Sequence, residues 1–207
     1  MFVQVIQAKT SDADALKAQL DRWVEELAPG AEGYLGTTAG VTADDDFIAL
    51  ARFESEDAAR ANSDRSEQGS WWEETSEHLE DVTFHDSDDV TTFLQGGSDD
   101  AGFVQVMQGR VSDRDRFTEI QDELMATMQE ERPEVLGLVQ VWDDDFVTTA
   151  AYFASEHTAR EGEGKAIPEE VRQRLNEMRS LAEDLTYLDL TDPWLYSPET
   201  DEDDESS

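Results

Sequence analysis

Apolar positions along the chain change period repeatedly, and each change marks an element. Phe2-Val3-Gln4-Val5-Ile6-Gln7 is short, rich in β-branched residues and bounded by polar ones, which predicts a strand. Behind it Leu16, Leu20, Trp23, Val24 and Leu27 recur on one face at helical period, and Pro29-Gly30 stops that helix. Ser11 with Asp14 reads as a capping box at its start. Tyr34 to Val41 and Phe47 to Phe53 predict two further strands, joined by the acidic turn Asp44–Asp46. Ser55 is placed to cap a short helix, another helix is predicted from Gln68 to Leu79, and Val82 to His85 reads as a closing strand.

The same order then recurs. Phe103-Val104-Gln105-Val106-Met107-Gln108 repeats the first strand with five of six residues identical at an offset of 101. Ser112-Asp113 and Asp115 repeat Ser11-Asp12 and Asp14, and Asp143–Phe146 repeats Asp44–Phe47. Ser155-Glu156 with Ala159-Arg160 repeats Ser55-Glu56 with Ala59-Arg60, and Glu183-Asp184-Leu185-Thr186-Tyr187 parallels Glu80-Asp81-Val82-Thr83-Phe84. The matches stay in order while offsets drift only between 99 and 103, which is duplication with small loop changes. The second helical face is Phe117, Ile120, Leu124 and Met128, closed by Pro133. Leu136–Trp142 and Phe146–Phe153 match the middle strands, Pro168–Leu181 the third helix and Leu185–Leu188 the closing strand.

Each copy therefore reads β-α-β-β-α-β, a ferredoxin-like layout whose four-stranded antiparallel sheet carries helices on one face only. Two copies can cover each other's bare faces. The expected fold is α+β: two tandem ferredoxin-like repeats forming an intramolecular pseudo-dimeric α/β barrel. Repeat one spans 1–94, a Gly/Ser/Asp linker 95–101, repeat two 102–193, and a C-terminal extension with an acidic tail 194–207. Within that extension Asp192-Pro193-Trp194-Leu195-Tyr196 is apolar enough to fold back onto the barrel, and Glu199–Ser207 reads as a disordered tail.

Composition adds a location more than a function. The chain of 207 residues holds 51 Asp and Glu against 15 Lys and Arg, a formal net charge of -36. Residues 1–101 carry 24 acids and 6 bases and residues 102–207 carry 27 and 9, so each half is at -18. Only Lys9, Lys17 and Lys165 stand beside twelve Arg. An acidic coat spread this evenly, and poor in lysine, reads as adaptation to a salty cytoplasm. It argues against nucleic acid and anionic membrane partners. The absence of cysteine removes disulfides and zinc-thiolate sites, and no apolar run approaches a membrane span. The acidic turns lack the ligand and glycine spacing of a calcium loop, and the three histidines lie far apart in sequence, so no metal is expected.

The N-terminal strand, the Ser55-Glu56-x-Ala58-Ala59-Arg60 strand-to-helix junction and the Trp71-Trp72 helix resemble the antibiotic biosynthesis monooxygenase family, within the dimeric α/β barrel superfamily. The resemblance covers both copies. It implies a small-molecule pocket between sheet and helices in each. Some members of that superfamily oxidise polycyclic aromatic compounds with molecular oxygen and no cofactor, and others degrade haem with an Asn, a Trp and a His.

The candidate residues cluster in copy one. Trp71 and His78, seven positions apart, would share a helical face, with Trp72 beside them. Such a wall could stack a planar ligand while His78, or His85 at the end of the closing strand, moves a proton. Gln4 and Gln7 point to opposite faces of the first strand, so they bind ligand or hydrogen-bond across the seam between copies. Copy two has no Trp pair on its third helix and Leu188 in place of His85, so chemistry is expected in copy one. His157 heads a helix and reads as solvated. Asn62 precedes Trp71, but at a spacing that does not reproduce the haem-degrading trio. The expectation is thus a cofactor-independent monooxygenase acting on a planar aromatic small molecule. The alternatives are a non-catalytic barrel binding a small hydrophobic molecule or a protein partner, and a haem-binding relative. Pairing of the pseudo-dimer into a homo-oligomer stays open.

Overall fold

The computed structural model describes residues 1–94 and 96–198; Gln95 and the acidic tail from Glu199 lie outside the described residues. So do the side chains of 127–131, and with them the expected Met128 contact. The first half runs β1 (Phe2–Lys9), α1 (Ala13–Glu26), β2 (Tyr34–Val41), β3 (Asp46–Phe53), α2 (Glu56–Ser63), α3 (Ser66–Ser76), β4 (Glu80–Ser87) and β5 (Val90–Leu94). The second runs β6 (Phe103–Val111), α4 (Arg114–Glu131), β7 (Val135–Asp143), β8 (Phe146–Phe153), α5 (Glu156–Glu163), α6 (Glu169–Ser180), β9 (Ala182–Leu190) and β10 (Trp194–Tyr196). Two five-stranded antiparallel sheets result, ordered β10-β2-β3-β1-β4 and β5-β7-β8-β6-β9.

The likeness of the halves extends to their irregularities. Phe2 faces Phe53 across β1 and β3, as Phe103 faces Phe153 across β6 and β8. Both first strands slip register against their closing strands, between Gln7 and Lys9 and between Gln108 and Arg110. Near each slip an aspartate, Asp81 or Asp184, takes positive φ (54° and 53°), a region short polar side chains tolerate.

Alternation along β1 decides what each face meets. Val3 and Val5 point to the second sheet and join Ile48, Leu50, Val104, Val106, Val139 and Tyr152 in one layer between the sheets. Full burial of each such aliphatic side chain stabilises by about 1.5–3 kcal/mol, enough to make two lobes one body. Ile6 and Ala8 point the other way, under the helices, with Leu16, Leu20 and Phe47. Two polar clusters interrupt the inter-sheet layer. Gln7 and Gln108 exchange amide hydrogen bonds of 2.8 and 3.3 Å across the seam, and Gln108 also donates to Thr148. The buried Arg52 donates to the Thr38 hydroxyl at 2.8 Å and the Tyr152 hydroxyl at 3.3 Å, with no carboxylate partner among the described residues.

The sheets differ from the expected four strands because the chain overruns each closing strand and changes sheet. After β4 it turns at Asp88-Asp89 and pairs as β5 with β7, in the other half's sheet. After β9 it crosses back, and β10 pairs with β2. Each sheet therefore ends on a strap from the other half. Gly36 makes room for the second strap: it sits at φ +125°, and a methyl there would lie 2.6 Å from the Tyr196 carbonyl. At the matching Gly137 a methyl would overlap the Gly96 carbonyl.

Helix ends correct the sequence reading in two places. Asp12, not Ser11, caps α1, its carboxylate accepting from the Ala15 N–H at 3.0 Å; Asp113 does the same for Arg116 in copy two. The helices begin one residue later than expected, which puts the carboxylate at the cap. The Ser55 and Ser155 caps are as read, accepting from Ala58 and Thr158. Helix α3 ends at Ser76, where the Thr75 hydroxyl bonds back to the Trp71 carbonyl and the His78 N–H bonds to the Thr75 carbonyl. His78 is thus in the turn beyond the helix and off the Trp71 face.

Candidate functional site

A cavity of about 280 Å³ lies in the first lobe, between the outer face of its sheet and α1, α2 and α3. Its floor is strand: Gln4 and Ile6 from β1, Thr37 from β2, Ala51 and Phe53 from β3, Phe84 from β4. Trp23 from α1 and the pair Trp71 and Trp72 from α3 form its walls, with Asn62, Ser63 and Gln68 at the α2–α3 end. Tyr196, from the β10 strap, completes it.

The aromatic wall is continuous. Trp23 lies 6.2 Å from Trp71 between ring centres, Trp71 6.1 Å from Trp72, and Trp72 5.6 Å from Phe84. Trp23 meets Tyr34 edge-on at 4.8 Å, and Tyr34 meets Phe53 at 5.7 Å. These are separations at which ring quadrupoles favour tilted contacts, and together they hold the wall rigid. Two of the indole N–H groups are spent within the protein: Trp71 donates to the Gln19 carbonyl at 2.8 Å, and Trp23 to the Gln68 side-chain oxygen at 2.5 Å. Phe84 remains 51% exposed, so the wall opens to solvent at that side.

Among the described residues no charged side chain lines the cavity. Its titratable group is the Tyr196 phenol, which donates to the Asp21 carboxylate at 2.7 Å. Asp21 also takes the Lys17 ammonium at 2.9 and 3.0 Å. Burial by itself would raise the Asp21 carboxyl, but Lys17 and Tyr196 outweigh it and hold the group below its ordinary value. Burial first, and then the neighbouring carboxylate, push the Tyr196 phenol far above its own.

Of the residues singled out in the sequence, Trp71, Trp72 and Gln4 line this cavity, the Gln4 amide nitrogen reaching Asp86 at 3.3 Å. Gln7 is on the opposite face of the strand, bonded to Gln108. His85 faces the second half: its Nδ1 is 3.2 Å from Asp143, and its ring stacks on Phe146 at 5.6 Å. His78 is outside the lining as well. Sequence reasoning missed Trp23, read as core, and Tyr196, which reaches a partner 175 residues earlier.

Copy two carries the same strand pair, Gln105 bonding Asp189 as Gln4 bonds Asp86. There Arg160 pairs with Asp189 and lies over the Phe103 ring at 5.2 Å. Both Arg160 and its counterpart Arg60 pair with the glutamate four residues earlier, Glu156 and Glu56; the Asp189 bond is an additional one in copy two.

No protein-family model and no curated protein matches the chain. Solved structures do. A protein of Lactobacillus acidophilus NCFM, provisionally named a monooxygenase, superposes with a TM-score of 0.74 at 12% identity, covering 95% of both chains. One of Fusobacterium nucleatum, named likewise, gives 0.74 at 10% identity over 95% of this chain and 94% of that one. The chain has the tandem barrel fold of these monooxygenase-named proteins. An anthrone oxidase-like protein shares the fold too, at a TM-score of 0.64 and 11% identity over 96% of this chain and 92% of its own. Such identities establish the tandem barrel fold and leave the chemistry to the cavity itself.

Proposed function

We propose that the first lobe binds a planar aromatic small molecule and oxidises it with molecular oxygen, the substrate itself supplying the electrons. The observation that carries this reading is the cavity lined by Trp23, Trp71, Trp72, Phe53 and Phe84, with no charged side chain among the described residues of its lining. An indole wall of this kind stacks a flat ring, and a lining of neutral side chains offers an anion no counter-charge. The reaction class comes from the fold shared with monooxygenase-named and anthrone oxidase-like proteins. A phenol with a free para carbon fits it: phenol and O2 give quinone and water. The O–H and C–H hydrogens leave as water with one oxygen atom, and the other oxygen becomes the new carbonyl. The cavity would hold the ring flat, keep bulk water off it and leave the Phe84 side open to oxygen.

The placement of both histidines outside the cavity favours a second reading, a barrel that binds such a molecule without converting it. It also leaves a haem in this cavity without an axial imidazole. Two measurements separate the readings. A thermal-shift screen of flat aromatic compounds should raise the melting temperature of the native chain, and the rise should vanish in Trp72→Ala. Oxygen uptake on adding anthrone supports the oxidase; binding without uptake supports the second reading. If no aromatic compound shifts the native protein, both readings fall.

A further inference from the structure

We infer that Tyr196 makes this cavity select aromatic ligands that carry a hydrogen-bond donor, a phenol over its ether or quinone. The inference rests on the aromatic-binding reading above and names which aromatics are taken.

An ionised carboxylate only accepts hydrogen bonds. Asp21, held by Lys17, is such a carboxylate at neutral pH. At 2.7 Å from it, the Tyr196 hydroxyl must be the donor, so its proton is committed to Asp21. What the phenol oxygen still presents is lone pairs. A ligand hydroxyl can donate to them. A ligand ether or carbonyl at the same place would set lone pair against lone pair and leave both unpaired.

Neighbouring groups agree. The Gln4 amide spends one of its two N–H donors on Asp86, and its oxygen stays an acceptor. The Ser63 hydroxyl donates to the Ala59 carbonyl, and the Trp23 and Trp71 N–H groups are both used. At the far end, the Asn62 and Gln68 side-chain oxygens accept from Arg65 and Trp23, leaving their amide N–H groups for a ligand carbonyl. The preferred ligand is therefore flat and polarised, with O–H toward the β10 strap. Oxidation of that hydroxyl to a carbonyl removes the feature Tyr196 reads, so substrate would be held and product released.

Calorimetric titration with 2-naphthol and 2-methoxynaphthalene tests this: the pair differs in the donor and in one methyl, and the variants below separate the two, because only the donor's effect depends on Tyr196. The native chain should bind 2-naphthol about fivefold more tightly, the effect of one net hydrogen bond. In Tyr196→Phe, which keeps the ring, the two affinities should become equal through loss on the naphthol side. In Asp21→Leu the freed tyrosine proton can serve an ether, so the preference should also collapse, this time through gain on the ether side. Equal affinities in the native chain, or a preference that survives Tyr196→Phe, would overturn the inference and leave the aromatic pocket standing. Failure of both probes to bind the native chain would remove the pocket reading and this inference with it.

Discussion

Tyr34 shows how far burial alone changes a side chain. Its phenol is enclosed by Trp23 and Phe53, donates to Thr37 at 2.8 Å, and is pushed up to about 12. Burial dominates; the Thr37 bond and the Arg52 charge pull the other way. Tyr152 and Tyr196 are raised too, again chiefly by burial. A phenol whose native value exceeds the unfolded value of about 10 binds its proton more tightly when folded. Its contribution is complete below pH about 10 and is lost as pH rises toward the native value. In an alkaline titration, phenolate absorbance from these three tyrosines should therefore appear together with loss of near-UV dichroism, not before it. Gln7 supplies a contrasting case. Gln7→Leu should cost about 1 kcal/mol in urea unfolding, because Gln108 loses a partner at the seam. It should leave aromatic binding unchanged; a loss of binding would place Gln7 at the ligand after all.

Among elements, the straps have the largest effect for their size. Strand β10 has three residues, yet Trp194 is buried against Phe47, Leu195 joins the inter-sheet layer and Tyr196 closes the cavity. Gly36→Ala should lift this strap, since the new methyl meets the Tyr196 carbonyl at a backbone angle that disfavours any side chain. A loss of about 1–3 kcal/mol is expected in thermal unfolding, with weaker naphthol binding alongside. The elements that were legible in the sequence are those written locally: the period-two strands, the Leu16–Leu20–Trp23 face, and the serine caps before α2 and α5. The repeat made the matching order of elements in the two halves readable as well. The straps were not legible as strands, because Trp194-Leu195-Tyr196 is too short to show a period and its partner is β2, far back in the chain. The same distance hid Tyr196 from the candidate site. Trp71 and Trp72 were legible as a pair because two adjacent indoles on one helix stand out, whereas His78 was set on a helix read as running to Leu79 that ends at Ser76.

Across the molecule, charge is the least locally balanced quantity. With 51 acids and 15 bases, pairing every base once would still leave 36 carboxylates to repel one another. Ion pairs such as Arg22–Glu74 and Arg110–Asp145 are partly or largely exposed and worth at most about 1 kcal/mol each. Screening is what remains, and the screening length falls from about 10 Å at 0.1 M salt to about 3 Å at 1 M. We therefore expect the melting temperature to climb between dilute and molar KCl; a flat response would detach the acidic coat from salt adaptation. No described helix is long and apolar enough to cross a membrane. The exchanged straps have a further consequence, in time. A ribosome adds about 5–20 residues per second, so the first half emerges roughly 5–20 s before residue 196 does. Throughout that interval the outer edge of β2 has no neighbour and the cavity lacks its tyrosine. The half made first has its cavity completed only when the last described strand is born.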